Sequence, residues 1–469
     1  MPIASRHLLA GLGSGYADRH SPVALATGAV FAVAAACAVF APLWFWAPFA
    51  VVAAAGLVIL AFRHTTGFCV AWLLVAGATL EMTLSDLLGA ALYQPAIAAV
   101  KGAELGLAAL CILRYGLAPD FFNPAFAFVA MAMIGLVHGL HPDLGLSASL
   151  RSLGGSVAPF AFAFCRLPRR WGCAMIRMTI WLPLITLAIA GVLDLAGWRP
   201  LFQESGGQRL AGLGHPAFLA GFCLAAIYAC LIALYRDGKS CWLALLSANL
   251  AILVLTGARA PLACAVAVTG LSLALLGSRV LAGRRMIPLL LAASLLPLLL
   301  LLAGEFSVVR LFNVLSNDAT QLSGRDLLWP QFERAAAASP WFGWGIGAGN
   351  SIIPPDGEIA RLMQTMAAHN EYLRIEVEGG QLGLGLLIVL FVLWVARHTS
   401  RLCRSDKVIM RLVFVAFAVH AYTDNVLIAT TGCVFFAFAT AVFVSSLREP
   451  AGHDPAPGRW SKLVLAGRR

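Results

Sequence analysis

Apolar runs of helix-spanning length follow one another along most of this chain, at about 22–41, 43–62, 66–91, 95–116, 122–140, 149–166, 174–197, 212–235, 240–257, 260–278, 286–304, 380–396, 409–425 and 428–447. They are rich in Leu and Ala and show no strict alternation, which is the pattern of lipid-crossing helices and not of barrel strands. The expectation is an all-α polytopic membrane protein of about 12–14 transmembrane helices. One long polar stretch, Glu305 to Gly379, interrupts the series. The chain therefore divides into a first helical bundle (1–304), a large loop containing short helices (305–379), the last membrane helices (380–447) and a basic tail (448–469).

Composition supports lipid as the solvent. The chain is 60% hydrophobic and 12% charged, whereas soluble proteins are about 25% charged. A water-facing surface could not be covered from so few polar residues. The net charge of +11 is read as cytoplasmic loop charge, since no compact basic domain exists to hold nucleic acid. The polar N-terminus, Met1 to His20, is expected to lead into a first span and not to be a cleaved signal peptide. The 11 cysteines lie in apolar runs or beside basic residues at span ends, and none is in the long loop. They form neither a disulfide scaffold nor a CxxC or His/Cys metal site.

Basic residues of short loops orient the spans. Arg166, Arg169, Arg170 and Arg177, then Arg236 and Lys239, then Arg279, Arg284 and Arg285, then Arg397 to Arg411, and the tail from Arg448 to Arg469 all fall on one side, which is taken as the cytoplasm. Both termini are then inside and the long loop outside. Arg151, Asp194, Arg209, His215, Arg259, Tyr422, Asp424 and Asn425 fall near outer span ends. Lys101 and Glu104 share a helix face at lipid depth, where charges face a cavity or each other. Polar groups gathered on one side suit an enzyme better than a flippase or transporter, which would spread them through both halves and show repeat symmetry.

His369 heads the candidates. It opens the segment His369-Asn370-Glu371-Tyr372-Leu373-Arg374, shares a predicted helical face with Leu373 and Glu376, and is of the residue type that can take a proton from a hydroxyl. Arg259, in Thr256-Gly257-Ala258-Arg259, has the paired donors that grip phosphate; a headgroup anchor is the competing reading. Arg151, Arg209 with His215, Arg325 and Arg374 are further candidate substrate ligands on the same side. Ser339-Pro340-Trp341-Phe342-Gly343-Trp344-Gly345-Ile346-Gly347-Ala348-Gly349-Asn350 reads as a flexible turn under a sugar-binding surface, with Trp341 and Trp344 available to stack, and not as a nucleotide loop. No Asp-x-Asp pair in the loop suggests a metal.

These segments, in this order, resemble the O-antigen ligase and O-antigen polymerase superfamily of bacterial polysaccharide assembly. The likeness runs from about Arg209 to Asn425 through Gly214-His215-Pro216, Thr256 to Arg259, Ser323-Gly324-Arg325 with Trp329, Ser339 to Asn350, and His369-Asn370 through Gly379 to Leu386. Family members often carry Ser or Gly beside the arginine, where this chain has Ala258 and Ala260. The resemblance implies an inner-membrane glycosyltransferase with a periplasmic active face and no cofactor or metal. It would transfer a glycan from undecaprenyl diphosphate to an acceptor hydroxyl, lipid A-core for a ligase or a second carrier-linked repeat for a polymerase. An O-linked protein glycosylating ligase is a further variant. His369 would be the catalytic base, Arg259 the catalytic diphosphate ligand, and Arg151 a helper.

Overall fold

The computed structural model describes residues 47–89, 92–204, 208–277, 325–363 and 365–446, with Val30 and Val33 alone before them. Four expectations lie outside these residues: most of the span at 22–41, the span at 286–304 with the basic residues before it, the loop up to Gly324, and the tail. Two compact units are present, Met1–His64 and Thr65–Arg469. In the first, α1 (Ala47–Arg63) exposes Val51, Val52, Leu57, Val58, Ile59 and Leu60, an apolar surface that only lipid or protein could cover.

Among the described residues, the regular elements of the second unit are helices apart from one short hairpin. Its helices are α2 (Thr65–Gly77), α3 (Leu80–Leu88), α4 (Tyr93–Tyr115), α5 (Ala125–His138), α6 (Leu146–Val157), α7 (Arg169–Leu195), α8 (Pro216–Asp237), α9 (Ser240–Leu255), α10 (Arg259–Leu276), α11 (Arg325–Ala338), α12 (Glu358–Met363), α13 (Glu371–Ser400), α14 (Arg404–Ala421) and α15 (Thr430–Ser446). The hairpin pairs β1 (Phe202–Glu204) with β2 (Gln208–Leu210), Gln203 opposite Arg209. Among the described residues α4, α7, α8, α10 and α13 are each long and apolar enough to cross a membrane, and α5, α9 and α15 are shorter apolar helices. The chain is an all-α polytopic membrane protein.

The helix α8 is apolar on every face and buried along nearly its whole length, as a helix without a polar side must be. It packs against α7, α9, α10, α14 and α15. Beside it, Phe160, Phe391, Trp394, Phe414, Phe417, Phe435, Phe436 and Phe443 interlock, with ring centroids as close as 4.4 Å. One end of the bundle is tied by charge. Arg236, ending α8, donates to Asp406 Oδ2 at 2.9 and 3.0 Å and to Ser445 Oγ at 2.9 Å. In the connection between α4 and α5, Asp120 Oδ2 accepts from Trp394 at 2.8 Å and pairs with His398 Nε2 at 2.9 Å. Burial pushes Asp120 up, but the hydrogen bond and charge of His398, the Trp394 indole and Arg397 outweigh it and hold the carboxyl below the usual range.

Two expected spans are not single helices. The run at 66–91 breaks at Ala78–Thr79, where Thr79 takes φ +45° and lies buried against Gly214. The run at 149–166 is α6 followed by a 3-10 segment, Ala158–Phe164. Its Gly154–Gly155 pair and Pro159 are poor helix formers, and burial decides the path. Hydropathy marks which residues leave water, and it carries no information on whether they continue one axis.

From Gly343 to Gly349 the glycine-rich stretch is packed and largely buried, which corrects the expectation of a flexible turn. Trp344 N–H and Gly345 N–H donate to the carbonyls of Val377 and Glu378, and Gln381 N–H and Leu382 N–H donate to those of Pro340 and Trp341. The helix α13 is broken where this stretch docks, at Gly380 (φ 61°, ψ −168°). Only glycine occupies that region without cost, and a Cβ there would meet the Trp341 carbonyl. A Cβ on Gly343 would lie 2.5 Å from the backbone of Glu378 and Gly379, and one on Gly135 would lie 2.6 Å from Gly345. The indole of Trp344 is spent on the carbonyl of Ala335 at 2.7 Å, while Trp341 is 62% exposed and so keeps the face that stacking needs. Gly380→Ala is expected to combine about 1–3 kcal/mol of backbone strain with an overpacking cost, also about 1–3 kcal/mol. Thermal unfolding in detergent, followed by tryptophan fluorescence, should show a clear fall in midpoint against wild type.

Candidate functional site

The bundle's other end collects the polar groups. Asn370 caps α13, its side-chain oxygen accepting from the N–H groups of Tyr372 (3.1 Å) and Leu373 (3.2 Å). Because the cap is Asn370, His369 lies outside the helix with φ +48°. It therefore does not share a helical face with Leu373 and Glu376, as the sequence pattern suggested. The left-handed backbone turns the imidazole toward the turn between α14 and α15. There His369 Nδ1 lies 3.2 Å from Asp424 Oδ1, and Nε2 lies 3.4 Å from Thr365 Oγ1. Both side chains of the pair are partly open, at 39% and 36%.

That contact sets the tautomer. An ionised carboxylate only accepts, so Nδ1 carries the proton and Nε2 of the neutral ring keeps a lone pair. Burial would push Asp424 up, but the hydrogen bond and charge of His369, then His420 and the N–H of Asn425, prevail and hold it below the usual carboxylate range. Asn425 N–H donates to the same Oδ1 at 2.9 Å. The pair can thus accept a proton at Nε2 while Asp424 stays anionic.

The surroundings fix this geometry. Arg325, opening α11, donates to the carbonyl of Thr423 at 2.7 Å. Burial pulls its guanidinium down, and the charge of Asp424, then Tyr422, opposes that. The ring of Trp329 sits 5.6 Å from that of Tyr422, and its indole donates to Ala368 at 2.9 Å. The hydroxyl of Tyr372 donates to Ala418 at 2.8 Å. His369 is thereby bracketed by α11, α13 and α14.

Arg259 opens α10 and is exposed. Gly257 supplies the left-handed turn before it (φ 64°), so Ala258 need only be extended. The helices α10 and α14 pack against each other. Cys264 Sγ contacts the carbonyl of Ala416 at 3.5 Å. At the other end Tyr235, next to the Arg236–Asp406 pair, donates to Gly277. The two helices are therefore antiparallel. Arg259 and Ala421, each five residues from that contact, stand about 7 Å beyond it, level with the turn that carries Asp424. Arg209 Nε donates to the carbonyl of Thr256 at 2.7 Å, so the hairpin braces the turn before Arg259.

The remaining candidates are placed differently. His215 caps α8, its Nδ1 accepting from Ala217 N–H at 3.2 Å, and this gives it a fold role at the head of the central helix. Arg374 is only 3% exposed, held by Glu371 and by Glu378 at 2.7 Å; its donors are taken by carboxylates of its own helix, leaving little for a substrate. Arg151 is exposed on α6, and no contact joins it to the His369 pair among the described residues. Asp424, 55 residues from His369, is in sequence one outer polar residue among several. Its one sequence signal is the polar Thr423-Asp424-Asn425 between two apolar runs. Among the described residues no three His, Cys, Asp or Glu side chains converge as a metal site requires.

Fold and site together define a polytopic helical membrane protein with a histidine–carboxylate pair and arginines at one end. Residues 242–388 match the Wzy_C family model, described as O-Antigen ligase, and the match supports the O-antigen ligase superfamily. The family implies a glycosyl-transferring membrane enzyme. Arg259, Arg325, His369 and Arg374 fall inside the matched stretch; Arg151, Arg209, His215 and Asp424 fall outside it. No curated protein matches the chain significantly.

The sign of the pH effect follows from Asp424. A carboxyl held below its unfolded value of about 3.9 stabilises the fold above that pH and loses the contribution as pH falls through the lower folded value. The difference in thermal midpoint between wild type and Asp424→Asn is therefore expected to shrink as pH falls below about 4, measured as a melting series in detergent.

Proposed function

We propose that this protein transfers a glycan from undecaprenyl diphosphate to an acceptor hydroxyl on the periplasmic face of the bacterial inner membrane, both termini being cytoplasmic, and that the acceptor is lipid A-core. The reading rests above all on the His369–Asp424 contact of 3.2 Å. Neutral His369 takes the acceptor proton at Nε2 as the acceptor oxygen bonds to the anomeric carbon. The bond from that carbon to the diphosphate oxygen breaks, and its electron pair leaves with undecaprenyl diphosphate. Arg259 binds that diphosphate and offsets its growing charge, with Arg151 as a helper from α6. Arg209 and Arg325 act on the turns before Arg259 and at Asp424; His215 and Arg374 serve the fold. No step calls for a metal ion or nucleotide.

The same residues would serve a polymerase, whose acceptor is a second carrier-linked repeat. Purified protein given undecaprenyl-diphosphate-linked glycan with both acceptors separates the two readings: glycosylated lipid A-core is expected, and chain extension alone would assign polymerase. Transfer should continue in EDTA. His369→Ala and Arg259→Ala should each lower kcat by about 100-fold or more while leaving the detergent-solubilised protein monodisperse. Wild-type rates in His369→Ala would overturn the assigned base.

A further inference from the structure

A buried cation lies against the turn that carries Asp424. Lys101, inside α4, is 6% exposed. Its Nζ donates to the carbonyl of Ile428 at 2.6 Å and reaches that of Gly155 at 3.3 Å. A Cβ on Gly155 would lie 3.1 Å from that nitrogen, so a side chain there would crowd the cation. From α3, Glu81 is 1% exposed and accepts from the hydroxyl of Thr430 at 2.7 Å. Ile428 and Thr430 close the turn that Asp424 opens.

An ionised side chain at lipid depth is costly, and an apolar residue of similar volume would pack there without that penalty. The cation is directed to the backbone of the one segment that supplies Asp424. Arg325 holds the other end of the same segment through Thr423. A turn fastened at both ends keeps the carboxylate aimed at the imidazole, and a displacement of about 1 Å at a reacting centre can cost on the order of 100-fold in rate.

We propose that Lys101 and Glu81 are positioning residues for glycosyl transfer, fastening the 422–429 turn so that Asp424 meets His369. This rests on the reading of that pair as the proton acceptor. They touch no substrate; they act through Asp424.

The test uses the full-length protein in detergent with undecaprenyl-diphosphate-linked glycan and whichever acceptor wild type uses. Lys101→Met and Thr430→Val are each expected to lower kcat about tenfold, with donor KM within about twofold. In an Asp424→Asn background, Lys101→Met should add less than about twofold, since both changes remove one function. Full additivity, or wild-type kcat in both single variants, would overturn the proposal. Should Lys101→Met elute as aggregate, Thr430→Val decides alone, since it keeps every charge. Unchanged transfer in His369→Ala and Asp424→Asn would remove the underlying reading. Inactivity of those two beside unaffected Lys101→Met and Thr430→Val would remove only the positioning role.

Discussion

Lipid offers no hydrogen bonds, and a polar group that leaves water there is costly unless it finds a partner within the chain. That constraint organises the structure. It closes the backbone into helices, and it sends Arg236 to Asp406, Lys101 to a carbonyl of the 422–429 turn, and Arg374 to Glu371 and Glu378. Each of these buried charges costs several kcal/mol to desolvate, and its partners offset that cost. These charged residues are therefore fasteners, and what they fasten at one end is the pair His369 and Asp424.

The broken helix α13 joins the two environments. Below Gly380 it is a membrane helix; above it, a short polar helix buries a cation between two carboxylates and starts at Glu371, capped by Asn370. The docked stretch from Pro340 to Gly345 hydrogen-bonds across the break, so the upper part is rigidly held although the axis is interrupted. His369 then precedes a capped, braced helix start, and its left-handed backbone aims the ring away from its own helix. Strain of that kind persists where surrounding contacts over-determine it, and here Asp424, Thr365 and the Trp329–Ala368 bond surround it.

Local pattern and long-range packing contributed differently to the site. His369 and Arg259 stand out because a polar residue beside apolar runs is conspicuous in any reading of hydropathy. Asp424 does not, since its meaning lies in a contact across 55 positions. Arg374 and His215 show the reverse: as residue types they suit phosphate or proton chemistry, yet the Arg374 guanidinium is held by Glu371 and Glu378 and the His215 Nδ1 accepts from Ala217. The glycines at 343, 345 and 347 look like flexibility in sequence and act as close-contact points in three dimensions.

By itself the sequence determined the solvent and the class of element, because hydropathy is a sum over side chains and needs no partner. It also placed the histidine and the arginine in polar segments between apolar runs. Tertiary structure alone decided where helices break, which arginine is spent on carboxylates, and which carboxylate faces His369. Those outcomes depend on distances between segments far apart in the chain, and a linear pattern holds no record of them.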